Sequence, residues 1–183
     1  MELHFDFSQG ATRAIIKEQI AAQAGEDIIE QAAAQAKKAG VPSYHHYHAS
    51  DIYETIDDLV VDDVVKDDMR AVYTLLAEAE ANAHKSEVDH IHFHEVGEGA
   101  RIRNALEICC AIRLANPTRI TATPLQVGSG TVNCAHGVME VPTPATAFII
   151  KDLPIAEEKL VGELCTPTSA AIIKHFVQEF TEA

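Results

Sequence analysis

His90-Ile91-His92-Phe93-His94-Glu95-Val96-Gly97 is the stretch on which the reading of this chain turns. Three histidines alternate with apolar residues, and a glutamate follows at once. In an extended chain, successive side chains point to opposite faces. His90, His92 and His94 then share one face, with Ile91, Phe93 and Glu95 on the other, and the spacing predicts a short strand near residues 90–94. A row of imidazoles makes a poor core but a good set of ligands for nickel, copper, zinc or iron. The competing reading is a polar face of solvated histidines, and the pattern alone leaves both open.

Composition sets the bounds around this stretch. The 183 residues suffice for one domain with a real core, and 47% hydrophobic with 23% charged residues is ordinary for a globular protein. The net charge of −14 describes a surface that repels nucleic acid and anionic lipid. No apolar run reaches the length of a membrane span, and Met1-Glu2-Leu3-His4 has no signal-peptide pattern. Cys109, Cys110, Cys134 and Cys165 form no C-x-x-C pair and read as reduced thiols of a cytoplasmic protein.

The elements predicted along the chain give a mixed α+β fold, helix-rich, with short β-strands in a single domain. Alternation at Leu3-His4-Phe5-Asp6-Phe7 predicts a first strand. Residues 11–39 are helix formers, broken at Gly25 and stopped by Gly40 and Pro42. Tyr44-His45-His46-Tyr47-His48 is a histidine-rich loop, a composition that binds metal or is simply solvated. Ser50 or Asp51 then caps a helix, with Glu54 at capping-box spacing from Asp51. The pairs Asp57-Asp58, Asp62-Asp63 and Asp67-Asp68 repeat every five residues, which does not hold one helix face, and read as solvated acidic surface. Met69, Val72, Tyr73 and Leu76 mark an amphipathic helix over 68–84. His84 ends it, suited either to the helix dipole or to ligation. A helix over 100–115 and strands near 119–123 and 131–141 follow. Thr143-Pro144 and Thr166-Pro167 are two hydroxyl caps followed by proline, each starting a short helix. With the Gly128-Ser129-Gly130 turn they could cradle a phosphate, or be ordinary helix starts.

Several of these segments, in this order, resemble LarC-type nickel insertion proteins. They are His45-His46-Tyr47-His48-Ala49-Ser50-Asp51-Ile52, His92-Phe93-His94-Glu95-Val96-Gly97, Gly128-Ser129-Gly130, Ala135-His136-Gly137-Val138-Met139-Glu140-Val141-Pro142-Thr143-Pro144-Ala145-Thr146 and Gly162-Glu163-Leu164-Cys165-Thr166-Pro167-Thr168-Ser169-Ala170-Ala171. The resemblance covers residues 43–176 and describes the chain as one N-terminal-like domain, with 1–42 a divergent β-α segment and 43–183 the motif-bearing region. It implies a CTP-dependent cyclometallase, a lyase that places nickel in the pyridinium-3,5-bisthiocarboxylic acid mononucleotide cofactor of lactate racemase. Laid over it, His90, His92, His94, Glu95, His45, His46 and His48 are the candidate nickel ligands, with zinc as the alternative ion. Asp6, Ser8, Gly10, Gly128, Ser129, Gly130, His136, Thr143, Thr166 and Thr168 are the candidates for holding the mononucleotide.

The chain also departs from that pattern. The opening motif keeps Asp6, Ser8 and Gly10 but loses a proline and a following Gly-Asp. Ala100 and Asn104 stand where the family carries acids, with Arg101 and Arg103 beside them. The family's CTP-binding C-terminal domain has no counterpart in this sequence. The expectation is one part of a split system, with CTP and magnesium or manganese used on a separate chain. The rival is a non-catalytic metal- or nucleotide-binding paralogue acting as a store, chaperone or regulatory partner. Homo-oligomerisation stays open.

Overall fold

The computed structural model describes residues 1–46 and 48–181. Strand β1 (Glu2–Phe5) pairs in parallel with β2 (Arg119–Ala122), Leu3 opposite Ile120 and Phe5 opposite Ala122. β7 (Glu179–Phe180) pairs in parallel with the other edge of β2. Leu3, Phe5, Ile120 and Ala122 point inward, the alternation that a half-buried strand requires. The free edge of β1 is closed by side chains of α1 (Arg13–Ala24). Gln23 accepts from the His4 N–H at 2.9 Å and donates to the His4 carbonyl at 2.8 Å. Gln19 does the same for Asp6 at 2.7 and 2.6 Å. Two amides thus stand in for a missing strand and satisfy an edge that would otherwise invite pairing.

Gly25, at φ 112°, separates α1 from α2 (Glu26–Lys38), a conformation glycine adopts without steric cost. α3 (Ala49–Asp58), α4 (Asp63–His84) and α5 (Gly99–Ala115) follow, then α6 (Pro144–Ile150) and α7 (Pro167–Phe176). α4 is the hub, packing against α3, α5, α6 and α7, and α2 lies along α5. One continuous apolar core joins the sheet to these helices. Two small antiparallel ribbons complete the chain. β3 (Gly128–Ser129) pairs with β6 (Gly162–Glu163), and β4 (Thr131–Cys134) with β5 (Gly137–Glu140). Among the described residues no helix is long and apolar enough to cross a membrane.

Three local expectations change. Residues 90–94 are not a strand, because no neighbouring strand pairs with them. A 3-10 turn at Val88–His90 leads into extended unpaired backbone. The alternation survives there, since it follows from extension and not from pairing: Ile91 and Phe93 are buried, His92 and His94 exposed. The cap of α3 is His48, not Ser50 or Asp51. Asp51 lies in the first turn and accepts from the His48 N–H at 3.2 Å. Finally, Asp68 is not solvated. It is 2% exposed and accepts two 2.6 Å hydrogen bonds from the Arg113 guanidinium. His175 contacts the same carboxylate at 2.8 Å. Burial pushes the Asp68 carboxyl up, the bonds from Arg113 and His175 push it down, and the net shift is downward. The helix phase decides this outcome: Asp68 stands beside Met69 and Val72 on the face that α4 turns to α5 and α7.

Candidate functional site

The last turn of α4, the segment after the 3-10 turn, and the β4–β5 hairpin converge on one cleft of about 340 Å³. Each brings a histidine. His84 comes from α4, His94 from the extended segment and His136 from the hairpin turn. Ring nitrogens of all three lie within 4.8 Å of one another. His84 Nε2 is 3.2 Å from His136 Nε2, and the ring centroids of His94 and His136 are 4.7 Å apart. Two nitrogens on one ion, each bonded at about 2.1 Å, can stand at most about 4.2 Å apart. Three nitrogens that share an ion evenly stand at most about 3.6 Å apart, so the rings must draw inward by side-chain rotation to share one ion. Its donor set, three imidazoles, suits nickel, zinc or copper.

The surroundings favour neutral imidazole, the form that ligates. Burial, and then the neighbouring His136, hold the His94 ring below the usual histidine range. Glu80, one helical turn before His84, places Oε2 3.3 Å from His84 Nε2. Burial pushes the Glu80 carboxyl up, against the pull of His84 and His94. Glu95 fixes the hairpin. One oxygen accepts the Ala135 N–H at 3.1 Å, and the other lies 3.7 Å from Arg101. The residue after the third histidine thereby positions the loop that carries His136.

The other predicted ligands lie outside this cluster. His46 is buried and structural. Its backbone N–H and its Nδ1 both reach the Gly97 carbonyl, at 2.8 and 3.2 Å, and its Nε2 meets Thr55 Oγ1 at 2.8 Å. His45 Nε2 donates to the Phe93 carbonyl at 2.7 Å. His48 and His92 stack edge to face with centroids 4.6 Å apart, and exposed His90 lies 3.8 Å from Glu87. Tyr47 lies outside the described residues. The two histidine-rich segments are nonetheless knit together. A Cβ on Gly97 would stand 1.9 Å from the His46 carbonyl oxygen, and one on Gly99 2.0 Å from that of Pro42. Both glycines are there for close backbone approach.

The predicted mononucleotide residues divide. Thr143, Thr166 and Thr168 line the cleft at the starts of α6 and α7, as does His136. Thr166 and Ser169 cap α7 reciprocally, Ser169 N–H to Thr166 Oγ1 at 3.3 Å and Thr166 N–H to Ser169 Oγ at 2.9 Å. Gly128, Ser129 and Gly130 do not line it. Gly128 is buried against Gly162 in the β3–β6 ribbon, where a Cβ would meet the Gly162 carbonyl oxygen at 1.8 Å, and Ser129 Oγ donates to the Leu160 carbonyl at 2.9 Å. Asp6, Ser8 and Gly10 form the turn after β1, also away from the cleft lining. The Ser8 N–H donates to Asp6 at 2.9 Å and holds that carboxyl low. The sequence alone does not decide the role of His84 and does not mark Glu80, Arg101 or Cys134 as site residues, and all four line the cleft. The four-residue spacing of Glu80 and His84 on one helix face was the available signal.

The fold and cleft define a helix-rich α+β protein with a three-histidine cluster in its cleft wall. Residues 9–183 match the family described as nickel insertion protein, and the chain belongs to that family. It is 37% identical over 132 residues to the pyridinium-3,5-bisthiocarboxylic acid mononucleotide nickel insertion protein of Staphylococcus saprophyticus, a span of 72% of this chain and 34% of the relative. The protein of the same name from Clostridium acetobutylicum is 41% identical over 132 residues, 72% of this chain and 31% of the relative. That of Clostridium kluyveri is 40% identical over 131 residues, 72% and 33%. The chain spans about a third of the length of these curated relatives. No solved structure matches it.

Proposed function

We propose that this chain holds the nickel that is inserted into a pyridinium mononucleotide, with His84, His94 and His136 as the ligands and the cleft as the place where metal and nucleotide meet. The convergence of three imidazoles from three separate elements carries this reading. Nickel is cargo here, so the site must bind it and also give it up. Three exposed neutral ligands leave coordination positions open for an incoming sulfur or carbon donor, which a closed four-ligand structural site would not. Thr143 and Thr166, at the starts of α6 and α7, line the same cleft as the histidines. The wider setting is part of the proposal and rests on resemblance: the lactate racemase cofactor as product, and CTP with magnesium or manganese on a separate chain. Names carried by the relatives support the substrate class.

One observation favours a second reading, a store or chaperone that binds nickel or zinc without turnover. Ala100 and Asn104, both exposed on α5, are neutral where the resemblance implies acids. Calorimetric titration with Ni²⁺ and Zn²⁺, alone and with nicotinic acid mononucleotide present, separates the two. Nickel binding that tightens with the mononucleotide supports a coupled insertion site. Metal binding indifferent to it supports the store, and absence of binding by either metal refutes both.

A further inference from the structure

Arg101 is a cation in an unfavourable place. It sits in the first turn of α5, where the helix dipole repels positive charge, yet its side chain lines the histidine cleft. Its carboxylate contacts are loose, 3.7 Å to Glu95 and 3.4 Å to Glu98, with none of the paired short bonds of a committed guanidinium. Arg13, the first residue of α1, lies within electrostatic range of it. Arg13 Nη1 is buried and has no hydrogen-bond partner among the described residues. Its charge feels burial first and then Arg101, both disfavouring protonation. Two guanidiniums within electrostatic range of each other, one of them with an orphaned buried N–H, are unusual unless an anion completes them. The start of α7 is brought to the same region. Ala11 bridges Cys165, and the Ala11 N–H donates to the Leu164 carbonyl at 2.7 Å. This ties the segment before α1 to the segment before α7, and Thr166 lines the same cleft as Arg101 and Glu163.

We infer that Arg101, backed by Arg13, forms an anion subsite in this cleft that takes a phosphate group. A guanidinium recognises phosphate through two parallel N–H···O bonds, which a lysine cannot reproduce. Arg101 makes the contact, and Arg13 supports it with charge and with its free N–H. The phosphate is either free inorganic phosphate or the monoester of the mononucleotide. The second case rests on the insertion reading above.

The test is calorimetry of the full chain with inorganic phosphate and with nicotinic acid mononucleotide, without metal. Arg101→Gln should weaken binding at least tenfold and Arg13→Gln several-fold, while Arg103→Gln, whose guanidinium only reaches the Val41 carbonyl at 3.4 Å, should leave it unchanged. Arg101 is partly exposed, so its loss leaves folding intact and the result readable even if an Arg13 variant were unstable. Tighter binding of the mononucleotide than of phosphate assigns the ester as ligand, and equal binding assigns the free ion. Absence of saturable binding, or binding that survives Arg101→Gln, overturns the inference. His136→Ala keeps the two ideas separable, because it should weaken nickel binding sharply and leave inorganic phosphate binding in place.

Discussion

The Nε2 atoms of His84 and His136 lie 3.2 Å apart, so at most one of them carries a proton toward the other. Glu80 approaches the same His84 nitrogen at 3.3 Å, and the arrangement is satisfied when His84 donates and His136 accepts. A metal ion replaces that proton, and its binding therefore competes with acid. Nickel affinity should fall from pH 7.5 to pH 5, with a slope between one and three protons. His94, whose pKa is held down by burial and by the neighbouring His136, stays neutral to lower pH than an ordinary histidine. Calorimetry across that range measures the slope, and an affinity independent of pH would exclude these rings as ligands.

Removal of single histidines should sort ligands from supports. His94→Ala and His136→Ala each remove a proposed ligand and should weaken nickel binding by more than the about 10–100-fold typical of losing an outer partner. His46→Ala should leave nickel affinity unchanged and cost about 1–3 kcal/mol of stability, because it strands Thr55 Oγ1 and removes a bond to Gly97 in a buried place. His92→Ala, whose ring stacks on His48 away from the cluster, should weaken nickel binding less than His94→Ala. Equal nickel affinity in all four variants would remove the basis for the cluster.

Much of this architecture was legible in the sequence because it depends on local chemistry. The break at Gly25, the Thr-Pro starts of α6 and α7, and the inward Ile91 and Phe93 all follow from backbone preference or period. The cluster was not legible in the same way. His84, His94 and His136 are brought together by packing across 52 residues of chain, and nothing local to His84 separates a ligand from a dipole partner. His90, His92 and His94 shared a face, but one face of an extended segment can point several directions as it bends, and only His94 enters the cleft. The Asp68 reading failed for a related reason. Its aspartate neighbours are exposed, and its burial depends on Arg113 and His175, 45 and 107 residues away.

Gly97→Ala should be among the most damaging single substitutions. The new methyl would stand 1.9 Å from the His46 carbonyl oxygen and 3.1 Å from the Phe93 Cβ, and neither neighbour is a flexible side-chain end. Backbone must move, breaking the His46 N–H bond to Gly97 and shifting the segment that carries His94. A loss of about 3 kcal/mol or more is expected, at the upper end for point substitutions, together with weakened nickel binding. Thermal unfolding read beside calorimetry checks both effects. A folded variant with the parent's melting temperature would show that this approach is not tight.

Asp68 should make the fold acid-sensitive in a defined window. Its folded pKa lies below its unfolded value near 3.9. Its contribution is thus fully present above the unfolded pKa and is lost as pH falls through the folded one. Asp68→Asn removes the charge but keeps the shape. It should cost about 1.5–3 kcal/mol at neutral pH, the range for hydrogen bonds to a charged group, and not the larger figure for a fully buried pair, since the Arg113 side chain is 43% exposed and can turn to water. Melting temperatures of parent and variant should differ most at pH 6–7 and converge as the pH falls below the unfolded value and through the lowered folded pKa. A gap that stays constant down to pH 2.5 would mean that the carboxylate charge contributes nothing and that only the packing of the side chain matters.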